Sequence, residues 1–138
     1  MATILSTLNQ VTLKRLSDKT PFFRSGSNMA YDEILAQRVY QLLKRRTGFS
    51  QRKMFGGICF MLHGNMCCGV TQNELMLRLG ENNALKALEA PYTREMDFTG
   101  KPLKSMIYVE QPGFEEDESL RYWVNQAVKF VQSLPPKI

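Results

Sequence analysis

The stretch from Lys53 to Thr71 restricts the possible folds more than any other. It holds two apolar runs, Met54-Phe-Gly-Gly-Ile-Cys-Phe-Met-Leu62 and Met66-Cys-Cys-Gly-Val70, on either side of Gly64-Asn65. Each run is too short for a buried helix, and a Gly-Asn pair between two such runs predicts a β-hairpin closed by a tight turn. The next segment, Glu74 to Leu79, sets Leu75, Leu77 and Leu79 against Glu74, Met76 and Arg78. That period of two predicts a half-buried strand.

The remaining elements follow from spacing and breakers. Ile34, Leu35, Val39, Leu42 and Leu43 recur at helical intervals, with Asn28 or Asp32 as candidate caps and Gly48 just past the end, which predicts a helix over 31–46. Asn82 to Ala90 suits a short helix halted by Pro91. Strands are expected at 93–98 and 103–109, joined by Gly100-Lys101-Pro102, with Pro112-Gly113 ending the second. Beyond Asp117, the residues Leu120, Trp123, Val124, Ala127, Val128, Val131 and Leu134 make the apolar stripe of a last helix, stopped by Pro135-Pro136. The order α-β-β-β-α-β-β-α, with short connections, predicts an α+β two-layer sandwich of helices on an antiparallel sheet.

A chain of 138 residues has room for one domain of this kind and little more. With 43% hydrophobic and 22% charged residues it has the composition of a globular protein, which excludes a disordered or collagen-like chain. The longest apolar run, around Ile58 to Leu62, is far below the ~18 residues that cross a bilayer. Three cysteines without framework spacing point to a reducing compartment, and a cytoplasmic location is expected.

The net charge of +5 is unevenly distributed. Residues 1–28 carry Lys14, Arg15, Lys19 and Arg24 against Asp18 alone. The extension also has Ile4, Leu5, Leu8 and Val11 at the spacing of a weak amphipathic helix, and a breaker-rich stretch from Pro21 to Ser27. It reads as a flexible basic extension ahead of a domain at 29–138. A targeting segment, or an upstream extension of a protein that starts at Met29, is the alternative.

Cys59, His63, Cys67 and Cys68 are close enough in sequence to raise the question of a metal or a nucleophile. On a strand, Cys59 and His63 would be about 13 Å apart, whereas zinc ligands lie about 2.0 to 2.3 Å from the ion. Cys67 and Cys68 would point to opposite faces. Cys68 and His63 would be diagonal neighbours about 7 to 8 Å apart, too far for an activated thiol and its base. No metal, cofactor or catalytic residue is therefore expected, and the thiols read as small buried apolar groups. Phe55-Gly56-Gly57 matches neither a dinucleotide loop nor a P-loop, and paired glycines here fit a bulge or a close backbone approach. Met54, Met61, Met66 and Met76 read as adaptable core filling. The acids from Glu110 to Glu118 suit the N-terminus of the last helix.

One feature points outward. Lys44, Arg45 and Arg46 end the first helix, and Arg52 and Lys53 open the following strand, so five cations could meet at one corner. Such a patch could contact DNA phosphates or an acidic protein surface. Cations at a helix C-terminus also complement its dipole without any partner.

The block Arg52-Lys-Met-Phe-Gly-Gly-Ile-Cys-Phe60, followed by Gly64-Asn65-Met66 and Gly69-Val70, resembles the N-terminal domain family of TfoX/Sxy, bacterial regulators of competence for DNA transformation. The likeness spans about 29–134 and includes the 106–108 strand, the Pro112 turn and the helix bearing Trp123. It implies a small α+β domain and a non-enzymatic role, since full-length members act as transcriptional co-activators with the cyclic-AMP receptor protein. The helical second domain of those regulators has no counterpart before Ile138, so the chain reads as a stand-alone version of the domain. The resulting expectation is a regulatory binding module that contacts a protein partner, from the transcription machinery or a regulator, and DNA through Lys44, Arg45, Arg46, Arg52 and Lys53. The alternative is an enzyme or small-molecule binder using a groove beside the 54–71 hairpin.

Overall fold

A computed structural model describes residues 31–98 and 100–137. The extension 1–28, with its breaker-rich stretch from Pro21 to Ser27, and the candidate cap Asn28 lie outside these residues. Helix α1 (Glu33–Leu43) starts where Asp32 accepts hydrogen bonds from the backbone N–H groups of Ile34 and Leu35, at 2.9 and 3.0 Å. Of the two candidate caps, Asp32 is the one seen to act, satisfying donors that have no partner within the first turn. Four strands follow: β1 (Phe49–Met54), β2 (Gly57–Leu62), β3 (Asn65–Thr71) and β4 (Glu74–Arg78). Helix α2 (Glu81–Ala87), strands β5 (Thr93–Phe98) and β6 (Lys101–Val109), a 3-10 turn (Gln111–Phe114) and helix α3 (Asp117–Gln132) complete the chain.

The α+β class, the antiparallel sheet and the placing of the three helices are those expected, with one further strand in the first strand block. The run from Lys53 to His63 is not a single strand. Phe55 and Gly56 take φ of 57° and 72°, the chain reverses there, and Met54 pairs with Gly57. Positive φ at both central positions suits the two-residue turn that matches the right-handed twist of paired strands. The sheet order is β1-β2-β3-β4-β6-β5, leaving β1 and β5 as the two edges.

Both faces of the sheet are apolar. One carries Ile58, Phe60, Leu62, Val70, Leu75, Leu77, Ile107 and Val109 and packs against Leu35, Val39 and Leu43 of α1 and the stripe Leu120, Trp123, Val124, Ala127, Val128 and Val131 of α3. Full burial of each large aliphatic side chain here contributes ~1.5–3 kcal/mol relative to exposure. The other face carries Cys59, Met61, Met66, Met76, Met96 and Met106, with Met54, Phe55, Leu103 and Tyr108 at its margin. Strand β4 is therefore buried on both sides, not half-buried as its alternation suggested. Period two distinguishes the faces, but a methionine on the second face does not reveal whether that face is wet.

A register shift between Phe60 and Met61 corrects the reading of the adjacent thiols. Phe60 pairs with Cys68 and Met61 with Met66, which leaves Cys67 as an extra residue in β3. A β-bulge of this kind breaks strand alternation. Cys67 and Cys68 consequently both lie in the core on the helix side, not on opposite faces.

Candidate interaction surface

The five cations occupy two places. Lys44 caps the end of α1 with its ammonium 5.9 Å from the Tyr40 ring centre, and Arg45 and Arg46 are exposed in the turn that follows. That turn is held by the Arg46 N–H donating to the Leu43 carbonyl and the Phe49 N–H donating to the Arg46 carbonyl. Arg52 and Lys53 lie at the far end of β1, about 10 Å along the strand from Phe49. Arg52 pairs with Cys59 on the methionine face, whereas Lys53 pairs with Ile58 on the helix face. The fold thus keeps Lys44, Arg45 and Arg46 together and separates Arg52 from Lys53. Among the described residues no ion pair involves any of the five. Charged side chains on an edge strand also oppose pairing with another sheet, a role for Arg52 and Lys53 that requires no ligand.

Cys59, the adjacent pair Cys67 and Cys68, and the His63 imidazole lie in three different places. Cys59 belongs to the methionine face, with Sγ 3.9 Å from the Met54 carbonyl oxygen. Burial pushes its pKa up to about 12, against a smaller opposing effect from Arg52. Cys68 is pushed well above its ordinary value by a hydrogen bond with Cys67 and by burial. Neither environment favours the thiolate that nucleophilic attack needs. His63 is exposed in the β2–β3 turn at φ 51°, where its backbone N–H donates to the Gly48 carbonyl and its carbonyl accepts from the Lys137 N–H. A Cβ on Gly48 would come within 2.5 Å of the His63 ring, so the imidazole is packed at a loop crossing away from Cys68. Among the described residues, no three or more His, Cys, Asp and Glu side chains come together as metal ligands.

The acids of 110–118 have mainly structural contacts. Asp117 and Glu118 occupy the first turn of α3, and Arg38 of α1 donates to Asp117 and to the carbonyls of Phe114 and Glu115, each at 3.1 Å. This guanidinium joins the start of α3 to α1. Sequence reasoning missed a second arginine site. Arg94 pairs with Glu74, reaches Glu110 at 3.5 Å and lies 4.4 Å from the Tyr108 ring centre. It became visible only once β5, β6 and β4 were known to be neighbours, in the register Arg94–Tyr108–Met76.

Two clefts border α2, and neither is lined by Cys59, His63 or Cys68. One, of about 210 Å³, lies toward α3 and is lined by Leu79, Asn83, Ala87, Tyr122 and Trp123 among others. The second, of about 450 Å³, lies toward the β5–β6 hairpin. Leu85, which is 70% exposed, stands at its wall, and Met96, Leu103 and Met106 line it as well.

Among the described residues no helix is long and apolar enough to cross a membrane. None of the curated proteins matches the sequence. The TfoX N-terminal domain family matches residues 41–131, a span running from the end of α1 through nearly all of α3 and including the glycine-rich β1–β2 turn. On that match, which covers most of the chain, the protein belongs to the TfoX N-terminal domain family.

Proposed function

We propose that this protein is a non-enzymatic regulatory binding module that contacts a protein of the transcription machinery, and duplex DNA beside it, through Lys44, Arg45 and Arg46, with Lys53 farther along β1 on the helix face and Arg52 on the opposite face as separate, secondary contacts. Its membership of the TfoX N-terminal domain family carries the reading. The exposure of Arg45 and Arg46, and the lack of any ion pair to the five cations among the described residues, support it. The separation of Cys59, His63 and Cys68 argues for recognition over catalysis.

Two measurements test it. Native protein and the charge-reversed variant Arg45→Glu/Arg46→Glu are titrated onto a labelled duplex at several salt concentrations. The reading expects native binding that weakens as salt rises, and a slope of log affinity against log salt shallower by about 2 in the variant. Equal absence of binding for both proteins at low salt removes the DNA contact. Capture of partners from the native host by the two proteins, followed by mass spectrometry, tests the protein contact. A transcription regulator or polymerase subunit retained by native protein and lost by the variant is expected.

A further inference from the structure

The larger cleft owes its shape to an irregularity in the β5–β6 pairing. Glu95 pairs with Ile107 and Met96 with Leu103, so Lys104, Ser105 and Met106 have no partner on β5. An insertion of this kind breaks the alternation of a strand and re-aims its side chains. Leu103 and Met106, three residues apart, consequently both join Met96 in the methionine cluster. The bulged segment is anchored on its other side, where the Ser105 carbonyl accepts from the N–H groups of Leu79 and Gly80 at 2.8 and 3.1 Å. That anchor lies immediately before α2, which forms the opposite wall of the cleft.

Helix α2 divides its surface between two clefts. Glu81, Leu85 and Leu88 follow one another at helical spacing along the side of the larger cleft, whereas Asn83, Ala87 and Ala90 line the smaller one. Ala84, between the two stripes, is buried in the core. Leu85 therefore contributes little to the packing of the protein and presents most of its surface to the cleft.

The interior and the mouth of the cleft differ in chemistry. Met96, Leu103, Met106 and Leu85 make an apolar interior, and methionine adapts its unbranched side chain to the shape of what it touches. The border carries Glu81 and Glu95 against Lys104, each exposed, so acids outnumber bases here although the chain as a whole carries +5. A carboxylate ligand would meet two like charges and one opposite charge, and an ammonium the reverse. The volume of about 450 Å³ falls within the range of about 300–1,000 Å³ typical of small-molecule sites.

We infer that the cleft between α2 and the β5–β6 hairpin binds a small organic cation, an amine with a branched alkyl or aromatic body. The body sits against Met96, Leu103, Met106 and Leu85, and the ammonium is held by the carboxylates of Glu81 and Glu95. This site is independent of the cations on α1 and β1, so failure of either assignment leaves the other standing.

Phenethylamine and phenylpropionate, which share an apolar body and carry opposite charges, are the probes. Each is titrated to about 10 mM, a range that captures weak binding, onto the full chain with isotope-labelled methionine methyl groups. Saturable shifts are expected at Met96 and Met106 and not at Met61 or Met66, with the amine bound at least about threefold more tightly than the acid. Leu85→Ser, at an exposed position, should weaken the amine by about fivefold without unfolding the protein. Glu81→Gln/Glu95→Gln should keep the shifts and lose the preference for the amine. Absence of saturable shifts at Met96 and Met106, equal affinity for the two probes, or native affinity in Leu85→Ser would each overturn the proposal. Methyl signals of the unliganded protein that move on dilution, as a dimer dissociates, would assign the cleft to contact between two copies and overturn it as well.

Discussion

Gly57 lies against the carbonyl oxygen of Val70 so closely that a Cβ at position 57 would overlap it. Phe55 and Gly56 form the left-handed turn before it, so the Phe-Gly-Gly block holds β1, β2 and β3 together at their common corner. The block has a backbone role, and phosphate chemistry is not needed to explain it. Gly57→Ala is expected to destabilise the protein by more than about 2 kcal/mol, because β2 and β3 must separate to admit the methyl group. Gly100→Ala meets no atom within 4 Å but keeps a φ of 79°, and should cost only about 1 kcal/mol. Urea unfolding of the two variants checks this order.

The start of α1 depends on Asp32. Asp32→Ala removes the acceptor for two backbone donors and should cost about 1 kcal/mol. Asp32→Asn should recover most of that loss, since an amide oxygen accepts the same bonds. Thermal melts of the three proteins measure it.

Cys59 should make stability fall at alkaline pH. Its ordinary value is 9.0 and burial raises it to about 12 in the folded protein. Below about pH 9 the thiol is neutral in both states. Above that, the unfolded chain releases the proton and the native chain retains it, so stability falls as pH rises toward 12. The full slope for one thiol is ~1.4 kcal/mol per pH unit. Denaturation of native protein and Cys59→Val at pH 8, 9, 10 and 11 should show native protein losing ground to the variant by about 1 kcal/mol per unit above pH 9.

Arg94 should contribute less than its number of contacts suggests. It is about half exposed, and water screens its pairs with Glu74 and Glu110. A double-mutant cycle between Arg94→Ala and Glu74→Ala should return a coupling below about 1 kcal/mol, decreasing further in 1 M salt.

The readable parts of this sequence were those where periodicity and burial coincide. The Leu120 to Val131 stripe, the breakers at Pro91 and Pro135, and the alternation of Leu75 and Leu77 each placed an element. Strand β1 was hidden because Phe49-Ser-Gln-Arg-Lys-Met is an edge strand, polar on both sides and lacking an apolar period. Its two cations looked clustered with Lys44 to Arg46 in sequence, yet strand alternation sends Arg52 and Lys53 to opposite faces. The methionine face could not be recognised because its members are scattered from Met54 to Met106 and meet only through strand order. The Arg94 contacts were hidden for the same reason, depending on the β4–β6–β5 neighbourhood.

The extra residue at Cys67 acts as a half-step in the rhythm of β3. Ahead of it, Met66 joins the methionine layer, and Asn65 turns to the helix side, where its amide donates to the Pro135 carbonyl at 2.9 Å. Deleting that one position would exchange the two, sending a thioether toward the helices and an amide into an oily layer. The chain can accept a different small side chain at 67 far more readily than it can accept the loss of a residue there.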